Sequence, residues 1–559
     1  MAAAPRLLAS SSPPLRGLAV SALVPLMLAG GGCRASLPTD HASSASTPAA
    51  GPTMAVPAAP PPPGAVAMES ELHWPVPPPP KPDPRDPRLW VALAARLAPA
   101  SQAAGPVPPP LRLRSARGGL ILTDAAGHRV QGADLLVHWR WQPLAQPRIW
   151  RRQVLGPFAS FESAEQAADQ WRQLGVAAVI AHPGDWEVWA PASALPPLGL
   201  QPRLQERRLP GRWVPELRPA DGARPLQEPI RIEAPGGLRW QNGVYGGPFR
   251  LQPDAYGSWS LLEEAPLERY LEGVVPHEIG AGSPAAALAA QAVLARTWAL
   301  RNQHRYGVDG YHLCADTQCQ VYSDPRQAGA AVRQAIASTR HQVLSYAGRP
   351  IHAVYHATNG GVAAGFEEGW SGEPLPYLQS FVDGPAALQA SLPLPLQQEG
   401  LALLLRQGGA AYGASHPVFR WQRQLTAAQI SAALRGVAPR LGEPRSVRVL
   451  ERGPSGRVLA LEIVGSGDST VLRLDAIRRT LRTLPSTLFE VRPVAAGQWR
   501  VVGGGFGHGA GLSQAGAIDL ARRGWGLQRI LQHYYPGTAL VPLTGLQSEA
   551  PPVIPERHP

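Results

Sequence analysis

The chain has 559 residues, more than one ordinary domain, and 21 of its 63 prolines fall in the first hundred positions, so the folding part is shorter than the whole. The formal net charge of +12 rests almost wholly on arginine, since Lys81 is the only lysine, and a hydrophobic content of 44% is ample for a core. A basic surface favours polyanions, but there is no RNP motif, zinc-finger spacing or basic helix with interleaved aromatics, which excludes nucleic-acid readers of those kinds.

The first predicted element is a targeting segment. Arg6 and Arg16 precede an apolar run from Gly17 to Ala29 that ends in Gly30-Gly31-Gly32-Cys33. A basic start, a short apolar stretch and small residues describe a secretory signal, too short and wrongly flanked for a spanning helix. Cysteine after small residues also looks like a lipoprotein cleavage site, with Cys33 lipidated, although a glycine stands where a leucine-like residue is usual. Residues 1–33 are therefore read as the signal, and membrane contact is expected only through signal or lipid. No later segment is apolar for long enough to span a bilayer.

Residues 34–110 are rich in Pro, Ala and Ser, with the runs Pro60–Pro63 and Pro77–Pro80. Such composition predicts an unfolded, extended spacer, interrupted by a short helix over Pro87–Leu97. A small α/β module is predicted over 111–220. Arg152–Leu155 reads as a strand, Gly156-Pro157 as a turn, Ser163–Leu174 as a helix with Ala164, Ala167, Ala168 and Trp171 inward, and Val176–Ile180 and Trp186–Trp189 as strands. A second unit over 229–545 opens with short strands and becomes mixed helix and strand, giving an α+β class; 546–559 is read as a disordered tail.

The chemistry concentrates in "PLERYLEGVVPHEI", Pro266–Ile279. Leu267, Tyr270, Leu271 and Val274 share one helical face, and Pro276 is expected to break the helix, leaving Glu278 on a short turn. Ser283-Pro284 reads as N-cap and first residue of an alanine-rich helix running to Arg301, with Leu288, Ala292, Ala295 and Ala299 inward. Glu278 would then lie beside a helix N-terminus, which lowers a carboxyl pKa, and beside apolar surface, which raises it. Residue type alone makes it an ordinary turn glutamate. Glu272, one turn from Arg269, reads as a surface ion pair.

Further along, His508 sits in a glycine-dense loop that reads equally as a tight turn with a structural histidine or as a place where backbone and imidazole approach a ligand closely. Gly505, Gly507 and Ala510 also fit a dinucleotide fingerprint formally, but no ribose-binding acid follows and no βαβ unit surrounds them. Cys314 and Cys319, with His312 nearby, suit either a structural zinc or a disulfide, and an exported chain makes the disulfide comparably plausible.

Four ordered blocks carry a resemblance. "LERYLEGVVPHEI" with "AALAAQAVLARTWALRN", then Asp316–Tyr322, then Tyr355–Gly361 with Trp370 and Pro376–Leu378, then Gly503–Ala517 with Tyr534–Gly537, together resemble the SpoIID/LytB family. The resemblance implies a lytic transglycosylase acting on peptidoglycan glycan strands, with Glu278 as catalytic acid and base and no required cofactor. It also implies candidate substrate contacts at Arg296, Tyr355, Thr358, Asn359, His508, Ser513 and Gln514, with Arg296 equally readable as a buried pair partner. Some family members bind zinc near Cys314 and Cys319, although Gln318 stands where such a histidine would be. Relatives named amidase enhancers imply the alternative of a non-catalytic wall binder that stimulates a cell-wall amidase. Separately, strand, "GPF", capped helix and "LGVAAVI" within 111–220 resemble a SPOR-type glycan-binding repeat, loosely and over about forty residues.

Overall fold

The structure, a computed structural model, describes residues 72–99, 106–218 and 222–546. The signal segment, Cys33, the first half of the proline-rich spacer and the tail after 546 lie outside the described residues.

The class is α+β, with strands dominating the first half and helices gathered after them. In chain order the first elements are β1 (Arg88–Leu97), β2 (Leu111–Ser115), β3 (Leu120–Thr123), β4 (Arg129–Gly132), β5 (Asp134–Phe158), α1 (Phe161–Gln173), β6 (Val179–Ala181), β7 (Trp186–Pro191) and β8 (Arg203–Leu217). They continue as β9 (Arg224–Pro225), β10 (Ile230–Glu233), β11 (Leu238–Trp240), β12 (Gly243–Tyr245), β13 (Phe249–Pro253), β14 (Trp259–Pro266), α2 (Leu267–Val275) and α3 (Ala285–Arg301).

The sheets interleave what the sequence divided. One sheet runs Leu313–Cys314, β1, β14, β13, β10, β3, β4, and the other runs β12, β11, β2, β5, β7, β6, with β8 also on β5. A boundary between 220 and 229 is thus crossed by β2 with β11 and by β3 with β10. The largest apolar cluster among the described residues extends from Leu89 to Leu543.

The helix expected over Pro87–Leu97 is a strand, β1, antiparallel to β14 and parallel to Leu313–Cys314. Its apolar residues suit either period, and the free edges of two distant strands decide in favour of the sheet. The spacer reading also fails just before it. Trp74 is buried against Trp150 and Leu209, under the guanidinium groups of Arg148 and Arg212 at 4.6 and 4.3 Å.

Within the α/β part, β5, α1, β6 and β7 follow the expected order, and β7 lies between β5 and β6 as in a split βαβ unit. Ser160 caps α1 by accepting from the Ser163 amide at 3.3 Å, and Ala164, Ala167, Ala168 and Trp171 are buried. Gly156-Pro157 does not end the strand: β5 runs through them to Phe158 with a register shift. The two three-stranded sheets formed by segments between Arg420 and Gly504 enclose a core of their own.

Candidate active site

Glu278 is placed by a helix that changes pitch. Pro276, without an N–H, does not end α2; it opens a single wide turn, Pro276–Gly280, closed by Gly280 in the left-handed region at φ +85°. Ser283 does not cap α3 as expected; its hydroxyl donates back to the Ile279 carbonyl at 2.7 Å and so ties the turn to the next helix. Every residue of α3 from Ala287 to Ala299 is buried, so this helix is enclosed on all sides, and alanine is the side chain that lets neighbours approach it so closely.

The Glu278 carboxyl opens into a cleft of about 480 Å³. Its walls come from three stretches of chain: Gln320, Tyr355, Trp370 and His508 beside the glutamate, Phe161 and Trp186 from the α/β part, and Asp475 and Arg478 from the helix Asp475–Thr480. A larger cavity of about 630 Å³ adjoins, but its one acid, Asp185, is already paired with Arg479. The walls are pinned together. Arg305 pairs with Glu162 beneath the ring of Phe161, His304 Nε2 lies 2.7 Å from Glu165, and Trp186 Nε1 donates to Gln318 Oε1 at 3.2 Å.

Burial pushes the Glu278 carboxyl above its usual range, opposed by the Val321 amide, which donates to Oε1 at 3.0 Å. The Tyr355 hydroxyl is also within reach. A phenol donating to a carboxylate would favour the ionised form, but its proton is committed elsewhere. Gln320 Nε2 faces the Ala295 carbonyl at 3.3 Å, which only accepts, so the amide orientation is fixed and Gln320 Oε1 must take the Tyr355 proton at 2.8 Å. The Tyr355 oxygen is left able to accept, and the donor beside it is protonated Glu278. Burial and the Tyr355 lone pair therefore favour the neutral acid, and the Val321 amide opposes them.

Most other motif residues turn inward. Arg296 is fully buried and bidentate to Glu268 at 2.9 and 2.7 Å, with a further bond to the Gln342 carbonyl, so it is a pair partner and no substrate hand. Asn359 donates to Asp383 at 2.6 Å, and Thr358 exchanges backbone bonds with Phe506; both are buried. Ser513 caps the helix Gln514–Arg522, and Gln514 donates to Gln291 inside the core. Glu272 keeps the expected partner, Arg269.

His508 does line the cleft, with its pKa held down to about 3 by burial and the Arg478 charge. Its Nε2 donates to the Tyr355 carbonyl at 2.9 Å and its Nδ1 accepts from the Ala510 amide at 3.2 Å, so neither nitrogen is left for a sugar. The glycines of its loop serve packing against protein: a Cβ on Gly507 would meet His356 at 2.5 Å, and one on Gly509 would strike the buried Arg457 guanidinium.

The zinc reading does not fit. Cys314 and Cys319 are joined as a disulfide, with Cα atoms 5.7 Å apart. His312 accepts from the Trp90 amide on Nδ1 at 2.8 Å and donates from Nε2 to the Pro80 carbonyl at 3.0 Å, which leaves no lone pair for a metal. Among the described residues no group of three or more candidate ligands gathers elsewhere. Asp475, Arg478 and Trp186 were not found from the sequence. The only signal for the first two is a charged "DAIRRT" on a short helix, which usually marks a solvated face.

Comparison with known proteins matches residues 255–346 to the family model "Stage II sporulation protein" and residues 364–511 to "Domain of unknown function (DUF8618)". Stage II sporulation protein D of Bacillus subtilis is 29% identical over 301 residues, covering 50% of this chain and 75% of that protein. The amidase enhancer of the same organism is 28% identical over 290 residues, 48% of this chain and 40% of its own length. An uncharacterized protein of Brachyspira hyodysenteriae is 27% identical over 299 residues, 52% of this chain and 71% of that protein.

Proposed function

We propose that this chain, which carries a domain of the SpoIID/LytB family, is a peptidoglycan lytic transglycosylase with Glu278 as its single acid and base. A peptidoglycan-related role is supported by the relatives. The finer reading rests on one observation: a half-buried glutamate at the head of a cleft, its carboxyl pushed above the usual range by burial.

The chemistry follows from that state. Neutral Glu278 gives its proton to the glycosidic oxygen as the bond from the muramic anomeric carbon breaks. The muramic 6-hydroxyl forms the new bond to that carbon, and its proton returns to the Glu278 carboxylate. The products are a free 4-hydroxyl on N-acetylglucosamine and a 1,6-anhydro muramic end. Because the nucleophile belongs to the substrate, one carboxyl suffices where hydrolases usually need two. The strands are read as peptide-stripped, and the α/β part as a wall of the same cleft in place of a free SPOR-type module. Export to the cell envelope, with Cys33 as lipid anchor, completes the reading. Among the described residues no helix is long and apolar enough to cross a membrane.

The test is to incubate the purified chain with peptide-free strands and identify product ends by mass spectrometry. Anhydro muramic ends from the wild type and none from Glu278→Gln support the reading. Reducing muramic ends would point to hydrolysis with Asp475 as second carboxylate. No product at all would favour the second reading, drawn from the relative named amidase enhancer: a wall binder that stimulates an amidase, measured as faster amidase turnover on intact wall.

A further inference from the structure

Charges around the cleft sort into those already used and those left open. Arg305 is paired with Glu162, and Arg479 with Asp185. Arg478, on the same short helix, gives only its Nε, to the Pro485 carbonyl at 3.1 Å. Among the described residues it takes part in no ion pair, although it lines the cleft and its charge reaches His508. One turn before it, Asp475 keeps Oδ2 buried and without a hydrogen-bond partner. The two do not pair with each other. A half-buried guanidinium that feels the Asp475 charge but makes no ion pair, and an Asp475 carboxylate bonded by Ser160 whose Oδ2 has no donor, form an incomplete pair of the kind a ligand completes.

We propose that Arg478 and Asp475 form a carboxylate-binding subsite of the Glu278 cleft that takes the acid group of a muramic residue beside the scissile bond. This rests on the glycan reading above. Of the two sugars in the strand only the muramic one bears an acid, and the guanidinium fork matches a carboxylate through two parallel N–H bonds. Asp475 Oδ2 accepts from a hydroxyl or acetamido N–H of the same residue. The carboxylate has two sources, the lactyl acid of a stripped residue or the acids of an attached stem peptide.

The experiment measures binding, so that it stands apart from catalysis. Full-length Glu278→Gln, with and without Arg478→Gln or Arg478→Lys, is titrated with three labelled strands: peptide-stripped, peptide-stripped with lactyl acids converted to methyl amides, and peptide-bearing. We expect stripped strands to bind about tenfold or more tightly than their amides, Arg478→Gln to remove that difference, and Arg478→Lys to keep part of it. If the Arg478-dependent gain belongs instead to peptide-bearing strands, the subsite stands and its ligand is the stem-peptide carboxylate. Equal binding of charged and neutralised strands, or discrimination that survives Arg478→Gln, overturns it. Melting temperatures show whether each variant is folded, and the lysine form provides the comparison if the glutamine form is not. Absence of cleavage by the wild type would sink the transglycosylase reading and leave this result intact.

Discussion

Two regions share the Glu278 cleft and are built on opposite terms. The side around α2, α3 and the glycine loop holds the recognisable sequence blocks, and there Arg296, Asn359, Ser513 and Gln514 are spent on other protein groups, Glu268, Asp383, the Gly516 amide and Gln291. The side around α1 and the helix Asp475–Thr480 lies outside the four sequence blocks, yet it supplies open groups, Arg478 and one oxygen of Asp475. A motif residue is thus as readily a brace within the protein as a hand for the ligand, and here Arg296, Asn359, Ser513 and Gln514 are braces.

The contrast is open to attack from either side. The largest effect expected is from Glu278→Gln, which should lower turnover on the order of 10²–10⁴-fold with unchanged melting, as the loss of one general acid does. Next is Arg296→Ala, expected to cost about 3–5 kcal/mol in urea unfolding because it strands Glu268. A normal turnover per folded molecule would confirm it as a brace, whereas a specific rise in KM would return it to the ligand side. Tyr355→Phe removes the acceptor that favours protonated Glu278. The alkaline limb of the pH–rate profile, over which activity is lost as pH rises through the Glu278 pKa, should then move to lower pH, with turnover down about tenfold. The smallest effect is expected from the double change Cys314→Ser and Cys319→Ser. The disulfide closes only a short loop, so stability should fall modestly, while turnover drops about two- to threefold as Gln320 and the Val321 amide loosen around the acid. A thiol titration of the wild type checks the bond directly.

How far the sequence alone reaches follows the same division. The alanine-rich helix, the turn bearing Glu278 and the closing helix after Ser513 were legible because local periodicity and ordered blocks specify them. The roles within the blocks were not, because an arginine in an apolar helix looks the same whether its partner is Glu268 or a sugar. β1 was misread as helix for a related reason: "RLWVALAARL" carries apolar residues that satisfy either period, and the strands that claim it lie far along the chain. The wide turn at Pro276 was read as a simple break, because proline forbids the ordinary bond without saying what replaces it.

That misread strand also governs how the molecule can be made. β1 finds its neighbours only when β14 and Leu313 exist, and the Trp90 amide meets His312, 222 positions on. A chain emerging from its N-terminus therefore holds an unpaired apolar strand until nearly half of it has been produced, and a half-paired one until Leu313 follows, which makes for slow, late closure. Fragments begun at 111 or 229, where a linker would have been cut away, should aggregate or be digested. Those that retain residue 72 onward should resist protease, with the acid's surroundings assembled last.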